Sequence, residues 1–225
     1  MINEKEIFKE DYKYFLTRVK KARTILKELI NYAGLDRNKK INVLAVGGEF
    51  GFIEYNLSKW TNWVITTSDV DAKSIKKYPI LRRYVNFKVL DATKLPFKQN
   101  TFDLVIFNHV VEHIMEYKKA INELHRVLGK TGILYLATPN IYRKLVPLRI
   151  LFSKKKGVSD SKRIRMHMGF SKEELQSYLS IFRTSRNISK DHLASNLGFF
   201  RHISGIFPKK LFERYAQTHV FICRK

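Results

Sequence analysis

The apolar residues of this chain change their spacing several times, and each change marks an element. Over residues 4–33, Ile7, Phe8, Tyr14, Phe15, Val19, Ile25, Leu26, Leu29 and Ile30 recur near helical spacing, with Gly34 as a stop signal. At Ile41–Val46 the pattern shortens to a strand, followed by the glycine-bearing turn Gly47–Gly51 and a helix to Trp60. Further strands are expected at Trp63–Thr67, Val85–Leu90, Phe102–Phe107 and Ile133–Thr138. Helices are expected between them, at Ala72–Lys77, ended by Pro79, and at Tyr117–Leu128. Gly129-Lys130-Thr131-Gly132 then turns into the strand that Pro139-Asn140 closes. Ser171 starts a later helix: Ser171-Lys172-Glu173-Glu174 has capping-box spacing, the hydroxyl on an early amide and Glu174 reaching back. His219–Cys223 forms a last strand.

Alternation of strands and helices predicts an α/β fold, a parallel sheet with helices on both faces. The expected organisation is a helical extension over residues 1–40, a core over 41–140, an insertion over 141–170 and a closing part over 171–225.

In an open parallel sheet, ligands bind beyond the carboxyl ends of the strands. Here the first four strands each end in glycine or polar residues: Gly47–Gly51, Asp69, Asp91, and Asn108-His109. A glycine turn lets backbone amides approach a ligand closely. An acid after the second strand can accept two ribose hydroxyls, and an acid after the third can accept an exocyclic amine. Each acid alone has a second reading as a helix N-cap. Their joint placement points to a nucleoside.

The ordered segments VLAVGGEFG, TTSDVD, DATKLPF, FDLVIFNHVVEH and HRVLGKTGILYLATPN (within Val43–Asn140) resemble a class I S-adenosylmethionine-dependent methyltransferase. More narrowly, they resemble the broad type that includes the ubiquinone-pathway O-methyltransferases. MHMGFSKEELQSYL (Met166–Leu179) is more loosely similar to a later helix of that fold. The resemblance implies a Rossmann-like, mostly parallel seven-stranded sheet and S-adenosylmethionine as cofactor. By the resemblance, Gly47, Gly48 and Gly51 line the methionine moiety, and Asp69 holds the ribose hydroxyls with Val70 against the adenine. Asp91 and Ala92 meet the adenine amino edge, and Asn108 and His109 lie beside the sulfonium.

Two positions depart from the family pattern. Ala45 replaces the acid that usually precedes the first glycine, and Glu49 replaces the middle glycine. One expectation is that Glu49 takes over contact with the methionyl ammonium. The rival is that Glu49 obstructs the pocket, leaving an inactive methyltransferase-like scaffold or polyanion-binding module.

Other chemistry competes for the same residues. His109-Val110-Val111-Glu112-His113 matches the H-x-x-E-H pattern of zinc peptidases, which needs both histidines on one helical face. Here His109 directly follows a strand, so the expectation is no metal, with Glu112 and His113 hydrogen-bonded at a helix start. A looser alternative has His109, Glu112 and His113 holding a divalent ion. A nicotinamide site would need G-x-G-x-x-G, and this chain has G-G-x-x-G. Methyl transfer to oxygen can use a general base, for which histidine is well tuned. His109 is the first candidate and His167 the second.

Composition adds a partner. Of 225 residues, 43 are Lys or Arg and 20 are Asp or Glu, a net charge of +23. Residues 141–225 carry 19 of the basic and 5 of the acidic residues, so the excess is concentrated. Residues 142–165 hold nine basic residues and one acid, with Leu145, Val146, Leu148, Ile150, Leu151 and Phe152 interleaved. Such a segment suits a polyanionic acceptor or surface, either anionic lipid or nucleic acid. A lid over the acceptor pocket is the remaining reading. Cys223 is the only cysteine, which excludes an internal disulfide and a cysteine-based metal site. The first residues lack a signal-type apolar core, and no run has the ~20 apolar residues of a membrane span. A cytoplasmic location is expected, with peripheral attachment at the membrane through the basic segment.

Overall fold

A computed structural model describes residues 3–140, 169–189 and 218–225. The segment 142–165 and His167 lie outside the described residues.

Seven strands form one sheet: β1 (Asn42–Val46), β2 (Val64–Asp69), β3 (Asn86–Val89), β4 (Phe102–Asn108), β5 (Leu128–Pro139), β6 (Thr184–Asn187) and β7 (Thr218–Arg224). Their spatial order is β3-β2-β1-β4-β5-β7-β6. The pairs joining β3, β2, β1, β4 and β5 are all parallel, and β7 runs antiparallel to both β5 and β6. The mostly parallel seven-stranded sheet is therefore present. The chain leaves β1 toward β2 on one side and returns to β4 on the other. A crevice opens where strand order reverses, beyond the carboxyl ends of β1 and β4.

The central strands are apolar on both faces, as a covered sheet demands. Leu44, Val46, Val105, Phe107, Leu134 and Leu136 face one core, where Ala120, Ile121 and Leu124 of α5 (Tyr117–Val127) and Leu175 of α6 (Lys172–Tyr178) meet them. The alternate residues Val43, Ala45, Leu104, Ile106, Ile133 and Tyr135 face the other. There they meet Ala22, Ile25 and Leu29, which lie in or directly after α2 (Tyr12–Glu28), and Leu57 of α3 (Phe52–Trp60). The short α4 (Ala72–Lys76) follows β2.

The expected helix over 4–33 is broken. A short α1 (Glu4–Ile7) and a tight turn at Lys9–Asp11 precede α2, which runs into a wider final turn at Leu29–Ala33 and stops at Gly34, φ 70°. The break releases Phe8, wholly buried, into an aromatic cluster with Phe15, Phe52, Tyr55 and Tyr78. That cluster clamps the N-terminal helices onto α3, just behind the glycine turn. At the other end of α2, the Tyr135 hydroxyl donates to Glu28 at 2.7 Å and ties the helix to the sheet.

The strand β6, Thr-Ser-Arg-Asn, has no apolar run and was not expected at that position. It is an edge strand, half-exposed, which explains its polar sequence. At α6, Ser171 caps the helix, its hydroxyl oxygen accepting from the Glu174 amide at 3.0 Å. The Glu174 carboxylate does not complete the expected box: it accepts from the Tyr178 hydroxyl at 3.4 Å. Among the described residues, no helix is long and apolar enough to cross a membrane.

Candidate cofactor site

The glycine turn is built by close packing. The amides of Gly47 and Gly48 both donate to the Ser68 carbonyl, at 2.7 and 3.0 Å, which fastens the turn to the end of β2. Gly51 has φ 77° and its amide donates to the Gly48 carbonyl at 2.7 Å, turning the chain into α3. No side chain fits at Gly48: a Cβ there would lie 1.9 Å from Thr67 Oγ1.

Glu49 sits in the left-handed region at φ 51°, where a glycine would be unstrained. Its amide donates to Asp69 Oδ2 at 2.9 Å, so the turn and the end of β2 hold each other. Its carboxylate accepts from the Tyr14 hydroxyl and stands 3.8 Å from the Arg18 guanidinium, both on α2. Arg18 also donates to Tyr14 and lies over its ring. Burial, first, and the Glu49 carboxylate, second, push the Tyr14 hydroxyl up to about 12.

Asp69 also accepts from the Asp71 amide at 3.0 Å. Val70 beside it is 70% exposed, an apolar side chain left at the cavity mouth. Asp91 follows β3 and accepts from the Thr93 amide at 2.8 Å; its bonds to the Thr93 backbone and side chain hold its carboxyl below the usual range. Ala92 is buried. This loop is held from α5. Arg126 donates to the Leu95 carbonyl at 2.8 Å and the Phe97 carbonyl at 2.7 Å, and is gripped twice by Glu123 at 2.7 and 2.8 Å. Glu123 also accepts from the Leu95 amide at 2.9 Å. The Leu-Pro-Phe and His-Arg-Val-Leu segments are thus halves of one clasp.

Asn108 ends β4, and among the described residues its buried Oδ1 has no hydrogen-bond partner. His109 follows at φ 57°, its amide donating to the Ala137 carbonyl at 2.7 Å. The chain then makes a single tight turn, Val111–His113. Glu112 lies buried between two histidines, with His109 Nδ1 at 3.4 Å and His113 Nε2 at 4.0 Å from its Oε1; Thr138 Oγ1 donates to its Oε2 at 3.0 Å. A left-handed residue followed by one tight turn does not supply the helical face that paired zinc histidines need. Among the described residues, no group of three or more His, Cys, Asp and Glu is placed to hold a metal ion.

Eight of the nine expected cofactor residues, together with His109, line one cavity of about 560 Å³; the ninth, Gly51, is not in its lining and instead turns the chain into α3. That volume lies within the range of small-molecule sites, roughly 300–1,000 Å³. Sequence reasoning missed Tyr14, Arg18, Glu54, Ile114 and Met115, which line it too. The helical periodicity placed Tyr14 among apolar positions but could not say that α2 reaches the strand ends. S-adenosylmethionine fits this lining: paired acids at Asp69 and Asp91, an apolar wall at Val70, Leu90 and Ala92, and unpartnered buried acceptors at Asn108 and Glu54.

Fold and site together define an α/β domain with a small-molecule cavity at the carboxyl ends of its parallel strands. Residues 44–136 match the family model described as a methyltransferase domain. An uncharacterized protein of Methanocaldococcus jannaschii is 36% identical over 105 residues, 47% of this chain and 44% of that protein. Norajmaline N-methyltransferase of Rauvolfia serpentina is 43% identical over 56 residues, 25% of this chain and 19% of the enzyme. This chain thus spans less than half the length of these curated relatives. The solved structure of a SAM dependent methyltransferase from Aquifex aeolicus superposes with a TM-score of 0.59 at 17% identity, covering 100% of this chain and 99% of that one. Residues 44–136 thus carry a methyltransferase domain, on a fold shared with S-adenosylmethionine-dependent methyltransferases, and S-adenosylmethionine is the cofactor that goes with it.

Proposed function

We propose that this chain transfers the methyl group of S-adenosylmethionine to a nucleophilic atom presented beside His109. The observation that supports this most is the meeting of four strand ends, Gly47–Phe50, Asp69-Val70, Asp91-Ala92 and Asn108-His109, around one cavity. The cofactor supplies an activated methyl group. The residues of the chain supply alignment, which accounts for much of the acceleration in such transfers. His109 is the base in this proposal, oriented by the buried Glu112 carboxylate. His167 is the second candidate. In this proposal Glu49 belongs to the cofactor site as well as holding Tyr14 and Arg18.

The acceptor is proposed to be anionic or carried on an anionic surface, recruited through residues 142–165. Six bulky apolar residues among eight at 145–152 favour a lipid- or glycan-linked acceptor at a membrane surface over RNA. The protein would then work in the cytoplasm, in part bound peripherally. The narrower likeness to O-methyltransferases makes a hydroxyl the first acceptor atom to test.

The test is incubation of a cell extract with labelled S-adenosylmethionine and the protein, then separation into lipid, RNA, protein and small molecules. Label in the lipid fraction supports the whole proposal. Label in RNA keeps methyl transfer and overturns the lipid reading. No label above an extract lacking the protein counts against methyl transfer.

A further inference from the structure

Glu54 brings to the lining of the cofactor cavity a buried carboxyl with one oxygen unpartnered. It lies in the first turn of α3 and is 4% exposed, and among the described residues its Oε2 has no hydrogen-bond partner. A Cβ built on Gly48 would lie 3.4 Å from the Glu54 carboxyl carbon and 1.9 Å from Thr67 Oγ1. The carboxyl, the hydroxyl and the glycine turn therefore share one packed spot. Thr67 pairs in register with Ala45, so this spot adjoins the end of β1.

Leaving a buried polar group unpaired costs free energy, more so if it is charged. A carboxyl kept in that condition inside a ligand cavity is accounted for when the ligand brings its partner. The second unpartnered buried atom lining the cavity, Asn108 Oδ1, is an acceptor as well. Both ask for donors. The charged groups acting on Glu54 are Arg18 from α2, Glu49 from the turn and Asp69 from β2. Arg18 is already engaged by Tyr14 and Glu49. The two remaining groups are acidic, so the local field favours an incoming cation.

We infer that Glu54 receives a primary ammonium group, the methionyl α-ammonium of the cofactor. This rests on the methyltransferase reading above. Glu49 is the rival carboxylate, but the Tyr14 hydroxyl and Arg18 already take it up. The assignment also gives the missing acid at Ala45 a replacement, supplied from the facing helix rather than from the strand. Burial, first, pushes the Glu54 carboxyl up to about 7, so much of it is protonated near neutrality in the free protein. An ammonium favours the ionised form. Binding therefore expels a proton below that value, and affinity rises as the pH rises toward it.

Calorimetric titration compares S-adenosylhomocysteine with its deaminated analogue on wild type, Glu54→Gln and Glu49→Gln, each checked for folding by circular dichroism. Wild type is expected to prefer the amine-bearing ligand by at least ~10-fold, the size of a hydrogen bond to a charged group. Glu54→Gln should abolish most of that preference. Titration of wild type at about pH 6 in buffers of different ionisation enthalpy should also show proton release. This readout needs no variant. Wild type that binds S-adenosylhomocysteine without proton release overturns the inference. So does a preference retained in Glu54→Gln, or lost only in Glu49→Gln. Folded wild type that binds neither ligand overturns the methyltransferase reading and this assignment with it, a result distinct from the others.

Discussion

The Glu112 carboxylate, 3% exposed and anchored from behind by the Thr138 hydroxyl, stands 3.4 Å from His109 Nδ1. The pair reads as a base and the group that fixes its ring, because His109 reaches the cavity and Glu112 does not. With an acceptor in hand, His109→Ala should lower kcat by ~10²-fold or more, the usual worth of a general base. Glu112→Gln keeps the imidazole and should cost less, on the order of 10-fold. Steady-state kinetics on both variants checks this; full turnover by His109→Ala would remove the histidine from the chemistry.

Gly48 is where the turn tolerates least. Alanine there would place a methyl group 1.9 Å from Thr67 Oγ1 and against the Glu54 carboxyl. The expected cost is about 1–3 kcal/mol of stability, typical of overpacking, together with weakened cofactor binding. Urea denaturation of Gly48→Ala measures it, and an unchanged midpoint would show that the turn has slack.

Arg126 holds the loop that carries Asp91 and Ala92 without touching the cavity itself. Arg126→Ala leaves the Leu95 and Phe97 carbonyls and Glu123 without their donor. A loss of about 1–3 kcal/mol is expected from those groups. Affinity for S-adenosylhomocysteine should fall as well, because the loop after β3 is released. Denaturation and calorimetry on the same preparation would separate the two effects.

Glu54 makes the unliganded protein sensitive to pH in an unusual direction. Its folded-state value, about 7, lies above the ordinary 4.5, so between them the folded chain holds a proton that the unfolded chain has lost. Stability from this group therefore falls as pH rises from 4.5 toward 7 and stays low above it, by at most ~3 kcal/mol. Glu54→Gln should remove that slope and be the more stable protein at alkaline pH. Denaturation of both proteins at about pH 5 and about pH 8 tests the sign; parallel curves would contradict it.

Much of this was legible in the sequence for a simple reason. Strands buried on both faces, such as Leu104–Phe107, need unbroken apolar runs, and such runs announce themselves. The end of β4 is equally plain, because Asn108 interrupts its run abruptly. β6 was hidden, since an edge strand needs no apolar pattern. Glu54 was hidden for a different reason. In Phe52–Trp60 it looks like the polar face of an amphipathic helix, and only the packing of Gly48 against Thr67 and α3 makes it buried. Tyr14 and Arg18 required knowing that α2 crosses over the strand ends, a long-range fact that spacing does not carry. The glutamate at position 49 was visible as an oddity, but its partners on α2 were not.

The central claim is that this cavity holds the cofactor despite Ala45 and Glu49. Calorimetric titration of the wild-type protein with S-adenosylhomocysteine tests it most directly. Saturable binding at one site per chain is expected, weakened by Glu54→Gln. A correctly folded sample that takes up no S-adenosylhomocysteine would contradict it.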